Sequence, residues 1–422
     1  MSFRELVALA LVAGSVGTAR AGEPLTLAAA VDRALGQNAD VLAAQEEVRA
    51  ARARLEGASV LLGSNPEVSG AAGSRDGERG RTAEWEIAVS QRIEIAGQRG
   101  ARVAAARAAL GAAEGRLAAT RARIAAEIRE LLGRCAAARL RAEVAADAQR
   151  LAAEAANAAE RRFQAGDVAR IEVKGARLER GRATRAALEA EQERIAALAE
   201  LELVLGAEPR SVPEIAFGLE GETRATERTV EELVAEALAS RRDVVAARLD
   251  VEAAVAEQTL AARSVVPSPA LGVSIAREER ADIVLGTLSF ELPAFARKQA
   301  ERGIASARIQ QARIALAALE RRAAQEVRLA AERAGAARRI LDAFDPETTT
   351  ALAADLALVT KAYEAGQIDF VRYRLLRREA LDARRDRIDA LEALNRAAAQ
   401  LERAIGRSGL AGGSLGDAVH PF

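Results

Sequence analysis

The sequence predicts a mostly α-helical chain with a small β part, written twice as a helix–hairpin–long helix–turn–helix unit. Three observations predict it. Ala supplies 106 of 422 residues, while 11 are aromatic and 29% are charged, a composition suited to long, closely approaching helices rather than to a deep globular core. Residues from Thr26 to Pro66 align without a gap onto Thr229 to Pro269, an offset of 203 at which Thr26, Leu35, Asp40, Val41, Val48 and Pro66 recur. Phe163-Gln164-Ala165-Gly166 then faces Tyr363-Glu364-Ala365-Gly366, and Leu201-Glu202 and Gly206 face Leu401-Glu402 and Gly406, at an offset of 200. A repeat of that length is a duplication, not a solenoid.

The same composition excludes most chemistry. Lys plus Arg and Asp plus Glu each number 61, so no net field recruits nucleic acid or acidic lipid. One Cys, one His and one Met leave no zinc, haem or iron–sulfur ligand set, no Cys–His or Ser–His catalysis and no disulfide framework. No enzyme, metal site or cofactor is expected. Cys135 reads as a small buried apolar residue.

In chain order, Arg4, the apolar run from Leu6 to Val16 and Ala19-Arg20-Ala21 have the layout of a cleaved signal peptide, residues 1–21. No Cys follows the cleavage site to take a lipid anchor, and no later apolar run reaches the roughly 18–20 residues of a spanning helix. The first repeat occupies 22–206: a helix over about 26–62 capped by Thr26, strands 66–73 and 84–93, a long helix 98–163, a tip 164–168 and a helix 169–205. A linker, 207–228, carries Pro209 and Pro213. The second repeat, 229–406, has a helix over about 229–265 capped by Thr229, strands 269–277 and 283–292, and a long helix 297–363 broken near Pro346. Its tip is 364–368 and its last helix 369–405, and residues 407–422 read as a flexible tail.

The long pattern has a register. Val103, Leu110, Leu117, Ile124 and Leu131 recur at seven-residue steps, the seam of supercoiled helix packing. At 1.5 Å per residue such a helix spans about 100 Å, and two flanking helices stacked end to end cover it. Along the strands, Trp85, Ile87 and Val89 alternate with Glu84, Glu86 and Ser90, and Val284, Leu288 and Phe290 alternate with Thr287 and Ser289. This period of two fits a half-buried soluble hairpin, which the small residues of 66–73 favour, and it also fits transmembrane barrel strands.

Signal peptide, duplicated unit and punctuation together resemble the TolC-like outer-membrane efflux protein family over residues 25–406. The most specific pieces are Gln91-Arg92-Ile93-Glu94-Ile95-Ala96-Gly97-Gln98-Arg99, Leu292-Pro293-Ala294-Phe295 and the tips around Gly166 and Gly366. The first is similar to the strand-to-helix junction of outer-membrane factors that serve heavy-metal resistance–nodulation–division (RND) pumps of the cobalt–zinc–cadmium type. The resemblance implies a homotrimer in which each chain gives four strands to a 12-stranded outer-membrane β-barrel, continued by a periplasmic α-helical barrel. It implies passive conduction of heavy-metal cations, with a periplasmic adaptor (membrane fusion protein) and an inner-membrane RND pump as partners. The exit duct of a drug efflux or type I secretion system is the alternative within the family. A secreted coiled-coil scaffold without a pore would explain the heptads but not two hairpins in equivalent places.

On that resemblance, Trp85, Ile87, Val89, Val284, Leu288 and Phe290 are expected to face lipid, and Glu86, Ser90, Thr287 and Ser289 the lumen. The adaptor is expected at the tips, on Phe163, Ala165, Gly166, Asp167 and Val168 and on Tyr363, Ala365, Gly366, Gln367 and Ile368. Arg372 and Leu375, beyond the second tip, are not acidic, so no acidic ring is expected there.

Overall fold

The computed structural model describes residues 24–77, 80–209, 211–219, 228–278, 281–344, 356 and 358–407. The expected signal peptide, the Pro346 break and the tail after Arg407 lie outside the described residues. The first repeat contains α1 (Leu27–Gln37), α2 (Ala39–Ser59), β1 (Glu67–Gly77), β2 (Gly80–Arg92), α3 (Gln98–Gln164) and α4 (Arg170–Leu205). The second contains α5 (Val230–Ser240), α6 (Arg242–Arg263), β3 (Ala270–Glu278), β4 (Ala281–Ser289), α7 (Gln299–Asp342), the helical residues 358–364 as α8, and α9 (Phe370–Ile405).

Thr26 and Thr229 cap the first helix of each half. The Thr26 hydroxyl accepts the Ala29 N–H at 3.3 Å, and Thr229 forms a reciprocal capping box with Glu232. The single helices expected over 26–62 and 229–265 are each two helices, broken at equivalent residues. Asn38 takes ψ 130°, and its side-chain oxygen caps α2 by accepting from the Asp40 and Val41 N–H groups. Its amide nitrogen donates to the Val204 carbonyl at 2.9 Å. Arg241 takes ψ 123° at the second break and donates to Asp243, Glu326 and the Ala404 carbonyl. Each break is thus held by the end of the last helix of its own repeat, a long-range contact that local periodicity does not report.

At 67 residues, α3 spans about 100 Å. Along one flank α2 and α4 lie end to end: Arg102 reaches the Ala58 carbonyl, and further on the Cys135 thiol donates to the Ala197 carbonyl. Along another flank lie α6 and α9, marked by Arg116–Asp250, Arg129–Glu402 and Arg141–Asp389 pairs. Helix α7 packs outside these two, with Arg308 to Glu257 at 2.8 Å and Val327 in a core with Ala404 and Ile405. Where helix ends meet at mid-height, Val31, Val41, Ile128, Leu132, Leu201 and Leu205 are buried in one cluster. Each such side chain contributes roughly 1.5–3 kcal/mol.

The four strands form one antiparallel sheet in the order β1-β2-β3-β4, with β2–β3 joining the halves and β1 and β4 as its two edges. β1 and β2 run on through Gly73-Ser74-Arg75-Asp76 to a Gly77–Gly80 pair, past the expected limits, because ladder hydrogen bonds override weak strand propensity. β4 stops at Ser289, so Phe290, expected on a strand, lies one residue beyond it.

Candidate functional site

Two surfaces, at opposite ends of α3, collect the residues singled out in the sequence. The first is the sheet. Its register aligns Val68, Val89, Val273 and Gly286 in one row, and Gly70, Ile87, Ile275 and Val284 in the next. Leu271 and Leu288 form the row towards the helices, and Trp85 lies opposite Arg277 in the row towards the hairpin ends. Because side chains alternate across a strand, all of these lie on one face. That face is exposed from end to end: Val68 is 70% accessible, Val284 68% and Leu288 64%. From Leu271 to Arg277 it rises about 20 Å along the strand, near the height of a transmembrane barrel's apolar band.

The other face carries Glu86, Ser90, Thr287 and Ser289, as alternation requires. Burial within the sheet is confined to this face, where Ser274 is 1% and Ala276 8% exposed. Its charged side chains are Glu67, Arg75, Glu84, Glu86, Arg92 and Glu278, four acids against two bases. Among the described residues no helix is long and apolar enough to cross a membrane, and no group of His, Cys, Asp and Glu could hold a metal.

The second surface is the pair of tips, and the two turns are the same structure. Gly166 (φ +85°) and Gly366 (φ +73°) are left-handed, a conformation glycine adopts without a Cβ clash. The following N–H groups, of Asp167 and Gln367, return to the Arg162 and Ala362 carbonyls at 2.8 Å, closing each helix with a Schellman-type turn. Phe163, Ala165, Gly166, Asp167, Ala365, Gly366 and Gln367 are exposed, and Val168 and Ile368 half-buried.

Tyr363 is a correction: it is 0% exposed and cannot offer its ring to a partner. It stacks on Tyr373 at 4.8 Å and lies 5.9 Å from Phe370, and its hydroxyl donates to Glu172 at 2.9 Å. The Arg162 guanidinium lies 5.3 Å from its ring centroid. Burial, reinforced by the Glu172 carboxylate, pushes the hydroxyl's pKa up. Its repeat counterpart, Phe163, is on the surface at 39%. The aromatic cluster fits because α4 offers Gly175, where a Cβ would stand 3.1 Å from the Phe370 ring.

Sequence reasoning picked out Gln91–Arg99 as a strand-to-helix junction but missed how that junction and its repeat are built. α3 and α7 both start after a left-handed residue, Gly97 (φ 74°) and Lys298 (φ 53°). The next residue in each case is glutamine, whose side-chain oxygen accepts the N–H of Ala96 or Arg297. The recurrence of Gln98 as Gln299 at an offset of 201 was the available signal.

Long helices continued by a small, outwardly apolar sheet define a TolC-like channel architecture. The outer-membrane channel OprN is 21% identical, with a TM-score of 0.73 over 90% of this chain and 89% of that one. CusC, a transmembrane channel, is 18% identical with a TM-score of 0.72 over 90% and 92%. The outer membrane protein VceC from Vibrio cholerae is 18% identical with a TM-score of 0.70 over 90% and 96%. Residues 30–207, most of the first repeat, match the family model described as outer membrane efflux protein. No curated protein sequence matches the chain.

Proposed function

We propose that this protein is the outer-membrane channel of a tripartite efflux system, a passive duct from a periplasmic adaptor and RND pump to the exterior. The observation that carries it is the sheet: an apolar face exposed across all four strands, with both edges open, on top of a helical body about 100 Å long. Open edges cannot stand in lipid. Three copies, giving four strands each, would close a 12-stranded barrel and leave no edge. In that arrangement Trp85, Ile87, Val89, Val284 and Leu288 meet lipid, Phe290 stands at the strand end, and the Glu86–Ser90–Thr287–Ser289 face lines the lumen.

Heavy-metal cations are the proposed substrate. The resemblance of Gln91–Arg99 to metal-efflux junctions supports this, as does the excess of acids on the lumen face. The tips, with Val168 and Ile368 beside exposed Phe163 and Gln367, are the proposed adaptor contact. Fractionation of the outer membrane, followed by single-channel conductance of the purified protein, tests the channel. A soluble monomer without conductance would sink it. Metal sensitivity of a deletion strain, without drug sensitivity, tests the substrate.

A further inference from the structure

We infer that the cavity over the α6–α9 break binds a small oxyanion carrying two or more negative charges, held by Arg242, Arg333 and Arg403. The site does not depend on what the duct conducts.

The cavity, about 560 Å³, lies where the ends of α6 and α9 meet between α3 and α7. That volume suits a small-molecule ligand. Seven arginines line it against three acids, Glu130, Asp243 and Glu326. Two of these acids are already engaged: Arg241 holds Asp243 at 2.8 Å and Glu326 at 2.7 Å, and Arg322 holds Glu326 at 2.8 Å. Arg123 and Arg407 turn to carboxylates outside the lining, Asp40 and Glu236.

Three guanidinium groups remain, one from each of three helices. Arg242 on α6 and Arg333 on α7 have no partner among the described residues. Arg403 on α9 stands 3.9 Å from Glu130, too far for a hydrogen bond. Burial pushes the Glu130 carboxyl up in spite of Arg403, so this acid is a weak counter-charge.

Like charges around one cavity repel, and the fold does not require them there. The first repeat builds the same break with Ala39 in place of Arg242 and Leu203 in place of Arg403. Arg242 is also the first residue of α6, where the positive end of the helix disfavours a base. An oxyanion in the cavity offsets both costs. Guanidinium forks donate to carboxylate or phosphate oxygens in pairs, and the opening turn of α6, which lines the cavity, favours negative charge. Guanidinium groups on three separate helices call for a ligand with more than one anionic group. Its source is soluble and not a lipid headgroup, because the 22 residues of α6 set the cavity about 30 Å from the strands.

Calorimetric titration of the detergent-solubilised full-length protein tests the site, with citrate and with tripolyphosphate at fixed ionic strength. Either anion should bind saturably at one site per chain, and acetate should not. Arg242→Ala and Arg333→Ala should each weaken binding at least tenfold. Arg242→Lys, which keeps the charge and loses the fork, should retain part of it. Arg328→Ala removes an exposed arginine of α7 that lies outside the cavity, and should change affinity less than twofold. In thermal melts the bound anion should raise the melting temperature of the wild type and of Arg328→Ala, but not of the Arg242→Ala, Arg333→Ala double variant. Absence of saturable binding by both anions would overturn the site. So would an Arg328→Ala loss as large as that of Arg242→Ala, which would mean a diffuse positive field. Neither result touches the channel reading, which single-channel conductance decides.

Discussion

Gly406 closes against Arg241: a Cβ on Gly406 would lie 2.9 Å from the Arg241 Cα. The first repeat does the same, a Cβ on Gly206 falling 2.7 Å from the Gln37 carbonyl oxygen. Both glycines are left-handed, at φ 88° and φ 64°. Ala at either should therefore cost about 2 kcal/mol or more, through the left-handed penalty and the backbone clash together. Gly36, inside α1 with open space around it, is the opposite case, and Gly36→Ala should gain roughly 0.5–1 kcal/mol. Denaturant unfolding of the three variants checks the signs.

The Arg241 cluster predicts a pH dependence. Burial would raise the Asp243 and Glu326 carboxyls, but hydrogen bonds from Arg241 outweigh it, and both lie below their usual values of 3.8 and 4.5. Groups depressed on folding stabilise above the unfolded pKa and lose that contribution as pH falls through the folded one. Stability should thus be full above about pH 4.5 and fall below about pH 3.8. Arg241→Ala should cost about 2–3 kcal/mol at pH 7, less than a fully buried pair because both acids keep some water. It should also flatten the acid limb of a thermal-melt series.

The aromatic cluster distinguishes residues that the repeat makes equivalent. Tyr363→Phe removes only the hydrogen bond to Glu172 and should cost about 1 kcal/mol. Tyr363→Ala should cost about 3–5 kcal/mol, against less than about 0.5 for Phe163→Ala on the surface.

For the sheet, Val89→Arg or Leu288→Arg should reduce outer-membrane insertion, at a cost of about 2–4 kcal/mol near the midplane. Ser90→Arg and Ser289→Arg, on the other face, should cost no more than about 1 kcal/mol. Equal tolerance of all four, read from heat-modifiable migration in gels, would argue against a lipid-facing apolar side.

At the tips, Val168→Asp with Ile368→Asp should abolish efflux and adaptor cross-linking while trimer assembly and insertion persist. Efflux that survives the pair would leave the glycines as turns and nothing more.

By itself the sequence determined the elements with local causes. Thr26 and Thr229 cap because a hydroxyl meets a free N–H three residues on, and Gly166 and Gly366 reverse the chain because glycine alone bears that conformation cheaply. The face of each strand followed from alternation over Trp85–Ser90 and Val284–Ser289. What the tertiary structure decided depended on residues far apart in the chain. Asn38 and Arg241 look helical until the ends of α4 and α9 offer them Val204 and Ala404. Tyr363 and Phe163 occupy equivalent positions, yet only Tyr363 meets the rings of Phe370 and Tyr373 on α9 and the Glu172 carboxylate. The β2–β3 join was likewise invisible, since a hairpin's own pattern specifies which face is apolar and not which strand lies beside it.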